Sequence, residues 1–313
     1  LLDTKNLNWS KKILKFFGIK SSLLPTIKNS GEKKGIIINN LKRKFLLNYD
    51  CVVGTGGHDH FVGVFGLGGF KKNTLIDSLG SAEAVTISTK KYLINKKLCN
   101  SKFISGVFKT KKNTNFYLVG SILTSGLIIN WFMENFKIKT YSELNLLIKN
   151  TEDKNILFFP QFEYSHTPIN NINSKGFIVG IDRSTSKGDI YKSILESLSF
   201  DTKNIIDFVK KNSKIKIKKI ICSGGSVKNK EWMKIKSNVL GENIYLDKRV
   251  ENVSLGSAIL AGLASNIYKD EDEAFKKIKE SYQIIKKNPK RVKYYSKIYN
   301  RYISSINNFY KIN

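Results

Sequence analysis

At 313 residues, with 41% hydrophobic and 12% aromatic side chains, the sequence can bury one large core or two modest ones and is not that of a disordered chain. Its 54 basic and 25 acidic residues give a formal charge of +29, which raises nucleic acid or an anionic membrane surface as partners. The lysines are nevertheless spread over every segment, in pairs such as Lys71-Lys72 and Lys111-Lys112, without an arginine-rich arm or a basic stripe interleaved with aromatics. The expectation is compositional drift toward Lys, Asn and Ile, with no specific nucleic-acid partner. Cys51, Cys99 and Cys222 are far apart and odd in number, so they offer neither a disulfide framework nor a metal spacing, and a reducing cytoplasm is expected. The longest mainly apolar stretch, Ile122 to Met133, is too short and interrupted to cross a bilayer, so no membrane partner is expected. No signal peptide is visible, and the opening at Leu1 reads as the middle of a domain, which makes a fragment the expectation.

In chain order, Leu7-Asn-Trp-Ser10 running into Lys11 to Phe17 predicts a capped amphipathic helix stopped by Gly18. Leu24-Pro25 and Gly31 to Gly35 are turns. Cys51-Val-Val-Gly-Thr-Gly-Gly-His-Asp-His60 then reads as a short strand running into glycines and a carboxylate flanked by histidines, before the apolar run Phe61 to Leu67. Glycines at a strand's end let a ligand approach the backbone. A carboxylate there sits at the carboxyl edge of a sheet, where open α/β folds bind ligands. His58-Asp59-His60 admits a metal site, a hydrogen-bonded structural turn, or a general base.

Gly63 to Phe70 holds four glycines and marks a junction between domains. Leu75 to Glu83 contains Leu-Gly-Ser-Ala-Glu, ahead of a strand over Ala84 to Ile87. Gly80 exposes backbone N–H groups and Ser81 adds a hydroxyl, a pairing suited to phosphate oxygens, although Gly-Ser between strands is also an ordinary hairpin. Phe103 to Phe108 and Phe116 to Val119 predict two strands around the basic turn Lys109 to Asn115. Gly120 to Phe132 leads into a helix carrying Gly126 and Asn130 one turn apart, where the glycine either contacts a ligand or serves close packing.

Asn155 to Phe159 predicts a strand ending at Pro160. Phe177 to Ile181 predicts a buried strand, followed by a Ser/Thr/Gly-rich turn and a helix with Ile190, Ile194 and Leu198 on one face. Ser186 with Asp189 makes a capping box. Lys218-Lys-Ile-Ile-Cys-Ser-Gly-Gly-Ser-Val-Lys-Asn-Lys-Glu-Trp232 predicts a strand, a tight Gly224-Gly225 turn and a helix with Trp232, Ile235 and Val239 on one side. The two glycines leave room for a flat ring against the backbone, and Ser226 and Asn229 stand beside it. The pattern lacks the third glycine and the acidic residue of a dinucleotide fold. Asn243 to Leu246 is a strand, Ser254 to Gly262 a close-packed helix, and Val292, Tyr295, Tyr299, Tyr302, Ile306 and Phe309 form the apolar seam of a long last helix.

Gly176-Phe-Ile-Val-Gly-Ile, seven residues, Asp189-Ile, two residues, Ser193-Ile-Leu-Glu196 resembles the second signature of the FGGY carbohydrate kinases. Similar in the same sense are the Gly-His-Asp of residues 57–59, Leu-Gly-Ser-Ala-Glu, Gly126 and Asn130 before Trp131, the Gly224 to Trp232 loop, and Ser254 to Gly262. The segment Pro160 to Pro168 departs from that family, because it lacks the Gly-Glu-Arg usual in the loop.

The resemblance implies an actin-like ATPase (ribonuclease H-like) α/β fold. It also implies an incomplete N-terminal domain over residues 1–68 and a complete C-terminal nucleotide-binding domain over 69–313. It implies a carbohydrate kinase that moves the ATP γ-phosphoryl group to a sugar or polyol hydroxyl, with Mg²⁺ between the phosphates. In that reading Asp59 is the catalytic base and, with His58, meets the substrate. Gly80 and Ser81 face the phosphates, and Gly126, Asn130, Gly224, Gly225, Ser226 and Asn229 surround the nucleoside. The family's opening Asp-x-Gly-Thr hairpin has no counterpart, so near-zero turnover by these 313 residues alone is the expectation. Two other readings are a non-catalytic adenine-nucleotide-binding module completed by a separate chain, and a basic nucleic-acid-associated protein. A homodimer is left open.

Overall fold

The computed structural model describes residues 1–312 except 90, 150, 163–165, 170, 172 and 250, with side chains described as far as residue 309. Strands β1 (Leu2–Asp3) and β2 (Asn8–Trp9) pair before helix α1 (Lys11–Phe16). The Ser10 hydroxyl accepts from the Ile13 N–H and Gly18 follows at φ 65°, so the helix starts and stops where its sequence predicts. Strand β3 (Lys33–Ile36), helix α2 (Asn39–Lys44) and strand β4 (Val52–Gly54) come next, with β3 antiparallel to β4.

Helix α3 (Asp59–Gly66) follows, its Val62, Val64 and Phe65 buried. The remaining elements are strands β5 (Thr74–Leu79) and β6 (Glu83–Thr89), helix α4 (Lys96–Asn100), strands β7 (Ile104–Lys109) and β8 (Thr114–Ile122), and helices α5 (Ser125–Asn135) and α6 (Tyr141–Lys149). Strands β9 (Leu157–Phe159) and β10 (Phe177–Val179), helix α7 (Lys187–Asn212), strand β11 (Lys219–Ser223), helix α8 (Lys230–Leu240) and strand β12 (Ile244–Asp247) continue the chain. Helices α9 (Asn252–Ala264) and α10 (Glu271–Lys277), strand β13 (Tyr282–Ile285) and helix α11 (Pro289–Ile312) end it.

Among the described residues one sheet of seven strands dominates, in the order β13-β12-β11-β5-β6-β8-β7. The central trio β12, β11 and β5 is parallel and the outer pairings are antiparallel. Alternation along β5 sends Leu75, Asp77 and Leu79 to one face and Ile76 to the other. The first face packs with Leu198 of α7, Trp232 of α8 and Tyr302 of α11; the second packs with Val64 of α3. Both faces are thus covered by helices, as buried parallel strands require.

On the second face α3 and α9 cross with their backbones in contact. A Cβ at Gly66 would lie 2.6 Å from the Asn252 carbonyl oxygen, and one at Gly256 would lie 2.0 Å from that of Val62. The glycines near the expected domain junction therefore serve helix packing. Helix α3, from the N-terminal side of that junction, rests on α9 from the other side.

Residues 120–122 extend β8, with Gly120, Ser121 and Ile122 paired with Val85, Ala84 and Glu83, and lead into the helix that begins at Ser125. The missing side chain at Gly120 admits Ile205 of α7, which a Cβ would meet at 2.7 Å. One expectation is corrected: the strand at Phe177–Val179 is not buried, since among the described residues it pairs with β9 alone, and Val179 and Ile181 are 42% and 59% exposed. Helix α7 begins with the predicted capping box, since Ser186 and Asp189 each accept from the other's backbone N–H. Among the described residues no helix is long and apolar enough to cross a membrane.

A cation lies in the core between the sheet and its first layer of helices. Lys236 of α8 is fully buried, with Nζ 2.6 Å from Asp77 Oδ2, 2.6 Å from Glu83 Oε1 and 3.0 Å from Thr202 Oγ1. Burial favours neutral Lys236, but the two carboxylates outweigh it and hold its pKa above the ordinary value. Burial also raises Asp77, Glu83 adds to this and Lys236 only partly opposes it, leaving Asp77 at about 8. The consistent assignment at neutral pH is a Lys236 ammonium and a proton on Asp77. Asp77 Oδ1, buried without a partner, costs less carrying a proton than carrying charge.

Burial likewise raises Glu196 to about 7, against the opposing effect of Lys192. Such carboxyls keep their protons in the folded chain while unfolded ones ionise from about pH 4 upward. Folding stability should therefore fall as pH rises from about 4 to about 8. Urea unfolding across that range should show the decline, and Asp77→Asn should flatten it; an identical slope in the variant would exclude Asp77 as its source. Lys236→Met strands two buried carboxyls and should cost about 3–5 kcal/mol, with part recovered by adding Glu83→Gln. A loss under about 1 kcal/mol would show that the ion pair is dispensable.

Candidate nucleotide site

The carboxyl ends of parallel β5 and β11 point the same way, and each runs straight into a glycine turn. After β5 comes the Gly80-Ser81-Ala82 hairpin into β6, closed by the Gly80 N–H to the Ala82 carbonyl at 3.0 Å. After β11 the chain turns at Gly224 with φ 101° and enters a short 3₁₀ turn over Gly225–Lys228. A Cβ at Gly224 would lie 2.3 Å from the Leu79 carbonyl oxygen, so the φ and the close approach both demand glycine. At Gly225 a Cβ would meet nothing within 4 Å, so this residue opens space beside the backbone. Gly80, Gly224, Gly225 and His60 all line one cleft of about 410 Å³.

Helix α5 holds the hairpin from behind. The Gly126 N–H donates to the Gly80 carbonyl at 3.0 Å and the Leu127 N–H to the Ser81 carbonyl at 3.1 Å. A Cβ at Gly126 would lie 2.6 Å from that Gly80 oxygen, so close packing accounts for this glycine. Ser125 Oγ donates to Glu83 Oε2 at 3.1 Å, which ties the same helix to the buried carboxylates.

Asn130, one turn along, is exposed and accepts from the Tyr141 hydroxyl at 3.4 Å. Asn229 caps α8: its Oδ1 accepts from the Trp232 N–H at 3.0 Å, and its Nδ2 donates to the Tyr191 hydroxyl at 2.9 Å. One amide hydrogen of Asn229 remains beyond these bonds. Burial raises the Tyr191 pKa, Asn229 opposes it, and nearby Tyr141 adds to it, so the two tyrosines connect the surroundings of Asn130 and Asn229. Ser226 is half-buried in the 3₁₀ turn, its carbonyl accepting from the Asn229 N–H at 3.0 Å.

Asp59 is the first residue of α3 and precedes His60, which lines the cleft. Its side chain is 80% exposed, 2.9 Å from His58 Nδ1, and it accepts from the His60 N–H at 2.6 Å. A carboxylate in a helix's first turn is favoured by the helix dipole. His58 caps the helix, and His60 turns its Nε2 to Thr86 Oγ1 at 3.0 Å. Burial lowers the His60 pKa, with His58 adding to the effect, so this imidazole is neutral at pH 7. Among the described residues no group of three or more His, Cys, Asp or Glu side chains could hold a metal ion.

Residues 163–165 of the Pro160 to Pro168 loop lie outside the described residues. The rest is anchored by a buried network that sequence patterns missed. His166 Nδ1 is 2.7 Å from Asp201 Oδ2, its Nε2 is 3.0 Å from Thr124 Oγ1, and the Tyr302 hydroxyl donates to Asp201 Oδ1 at 2.8 Å. The Thr167 N–H also donates to the Ser121 carbonyl, pinning the loop to the end of β8. Asp77, Glu83 and Lys236 were missed in the same way. The available signal was Lys236 itself, one turn beyond Trp232 on the apolar face of α8.

The profile of the FGGY family of carbohydrate kinases, C-terminal domain, matches residues 77–265, and that of the N-terminal domain matches residues 1–66. A glycerol kinase of Paenarthrobacter aurescens is 28% identical over 275 residues, which is 87% of this chain and 53% of that protein. The chain spans about half the length of the curated relatives it matches. Among solved structures, gluconate kinase from Lactobacillus acidophilus superposes with a TM-score of 0.87 at 20% identity, covering 98% of this chain and 61% of that one. Plasmodium falciparum glycerol kinase with ADP gives 0.85 at 24% identity, covering 97% and 61%. The fold is the actin-like, ribonuclease H-like α/β fold shared by these kinases. The chain belongs to the FGGY family of carbohydrate kinases.

Proposed function

We propose that this chain carries the nucleotide site and the general base of an ATP-dependent carbohydrate kinase. The observation that carries the reading is the meeting of Gly80, Gly224 and Gly225 on one cleft that His60, the neighbour of Asp59 in the chain, also lines. The phosphates of ATP rest against the Gly80-Ser81 hairpin, and the nucleoside lies over the open space at Gly225, toward Asn229, Asn130 and Tyr141. Gly126 supports this arrangement from behind the hairpin. Mg²⁺ brought in with the nucleotide would supply neutralisation of phosphate charge.

Asp59 accepts the proton of the acceptor hydroxyl, with His58 beside it to orient the carboxylate or meet the substrate. The similarity to glycerol kinases makes a short polyol the first acceptor to test, ahead of larger sugars. Positioning and electrostatics do most of the work in such a transfer, so turnover depends on all the walls of the site being assembled together.

One observation favours a second reading, a nucleotide-binding module completed by another polypeptide. Large apolar side chains stand exposed over residues 1–53, among them Phe16 at 82%, Leu23 at 74% and Leu46 at 91%. Such a face fits contact with further protein. The two readings share the nucleotide site and differ in whether Asp59 performs chemistry.

Titration calorimetry with ADP should give measurable binding that Gly225→Val removes, because valine fills the open space; equal heats from the two proteins would refute the assignment. Asp59→Asn should leave ADP affinity near that of the parent. It should lower acceptor-dependent ADP release by roughly a hundred-fold or more. The assay is run over glycerol, pentuloses and hexuloses on the polypeptide, of this length or longer, that shows turnover. Unimpaired release by the variant would exclude Asp59 as the base.

A further inference from the structure

A groove of about 970 Å³ opens at the end of the sheet opposite the glycine turns. It lies where β5 and β11 begin and β6 ends, at Asn73, Lys218 and Thr89. The six residues of β5 separate the two ends by about 20 Å at roughly 3.3 Å per residue. Five lysines line the groove, Lys72, Lys91, Lys214, Lys216 and Lys218, and no aspartate or glutamate does. Among the described residues none of the five forms an ion pair, whereas Lys71 and Lys219 just outside both pair with Glu280, at 2.8 and 3.1 Å. Unneutralised charge is therefore concentrated inside the groove. Phe70, Tyr92, Leu93 and Ile215 give it an apolar lining between the ammonium groups.

We propose that this groove binds a compact organic anion bearing two or more phosphoryl groups, at a site separate from the nucleotide cleft. Five lysines lining one groove without a carboxylate call for a ligand of high negative charge, which phosphoryl groups supply at up to two charges each. Lysine ammonium groups, as point charges with rotatable donors, suit clustered phosphate oxygens, whereas a planar carboxylate is better met by an arginine fork, and the groove holds no arginine. The apolar lining accommodates the carbon body of the ligand. The pairing of Lys71 and Lys219 with Glu280 ends the basic surface at the groove's edge, which favours a compact ligand over a strand of nucleic acid that would need a continuing track.

The test uses the 313-residue chain and inorganic tripolyphosphate as the probe, at physiological salt and with ADP present at saturation to occupy the nucleotide cleft. The variant Lys214→Ala/Lys216→Ala/Lys218→Ala should raise the Kd for tripolyphosphate at least tenfold, and Lys216→Glu alone should also weaken it. A control, Lys11→Ala/Lys12→Ala/Lys15→Ala, removes the same charge elsewhere and should leave the Kd unchanged. Both triple variants should bind ADP as the parent does, which keeps this result separate from the fate of the nucleotide site. Equal weakening by the control would reduce the effect to overall charge and overturn the proposal, as would an unchanged Kd in both groove variants. Tighter, lysine-dependent binding of a single-stranded oligonucleotide than of tripolyphosphate would replace it with a nucleic-acid site.

Discussion

The bond between Lys236 and its two buried carboxyls is the constraint from which the rest of the domain follows. It joins four elements at one point: Asp77 on β5, Glu83 on β6, Thr202 on α7 and Lys236 on α8. Because β5 and β6 are the two arms of the Gly80 hairpin, fixing both also fixes the hairpin's reach beyond the sheet. Ser125 extends the same grip to α5, whose first N–H groups hold the Gly80 and Ser81 carbonyls. A bare ammonium in an apolar core would be prohibitive; two carboxyls and a hydroxyl make it tenable, and in return tie separate helices to one register.

Around that point the sheet has two unlike ends. At one, parallel β5 and β11 deliver Gly80 and Gly224 side by side, and the backbone is bared because Gly224 sits too close to the Leu79 carbonyl for any side chain. That end offers open space beside the Gly225 backbone, which suits a flat ring. At the other end the same strands begin among lysines and aromatics, with no carboxylate to balance them. His60, next to Asp59 at the start of α3, lines the cleft at the first end, and α3 is held in place where the Gly66 and Gly256 backbones meet those of α9 and α3.

Local signals were legible wherever a residue type has one conformational use. Ser10, Gly18, the Ser186–Asp189 box and the glycine at 224 marked their turns and caps correctly, since each acts on its own neighbouring backbone. The family signature likewise pointed to the fold. Tertiary effects were hidden. Gly120 gave no sign of its reason for being glycine, which is Ile205, distant in the chain. Phe177 to Ile181 read as buried because an apolar run carries no information on how many strands will flank it. Lys236 looked like one surface lysine among many, and the basic groove is assembled from four separated segments, none of which is a stripe alone.

Hydrogen–deuterium exchange with and without ADP tests the central claim, that the two glycine turns at one end of the sheet form the nucleotide site. Added ADP should slow exchange at residues 78–82 and 224–229, with little change at 214–218 on the opposite end. Protection confined to the opposite end, or absent from both glycine turns while ADP is bound, would contradict it.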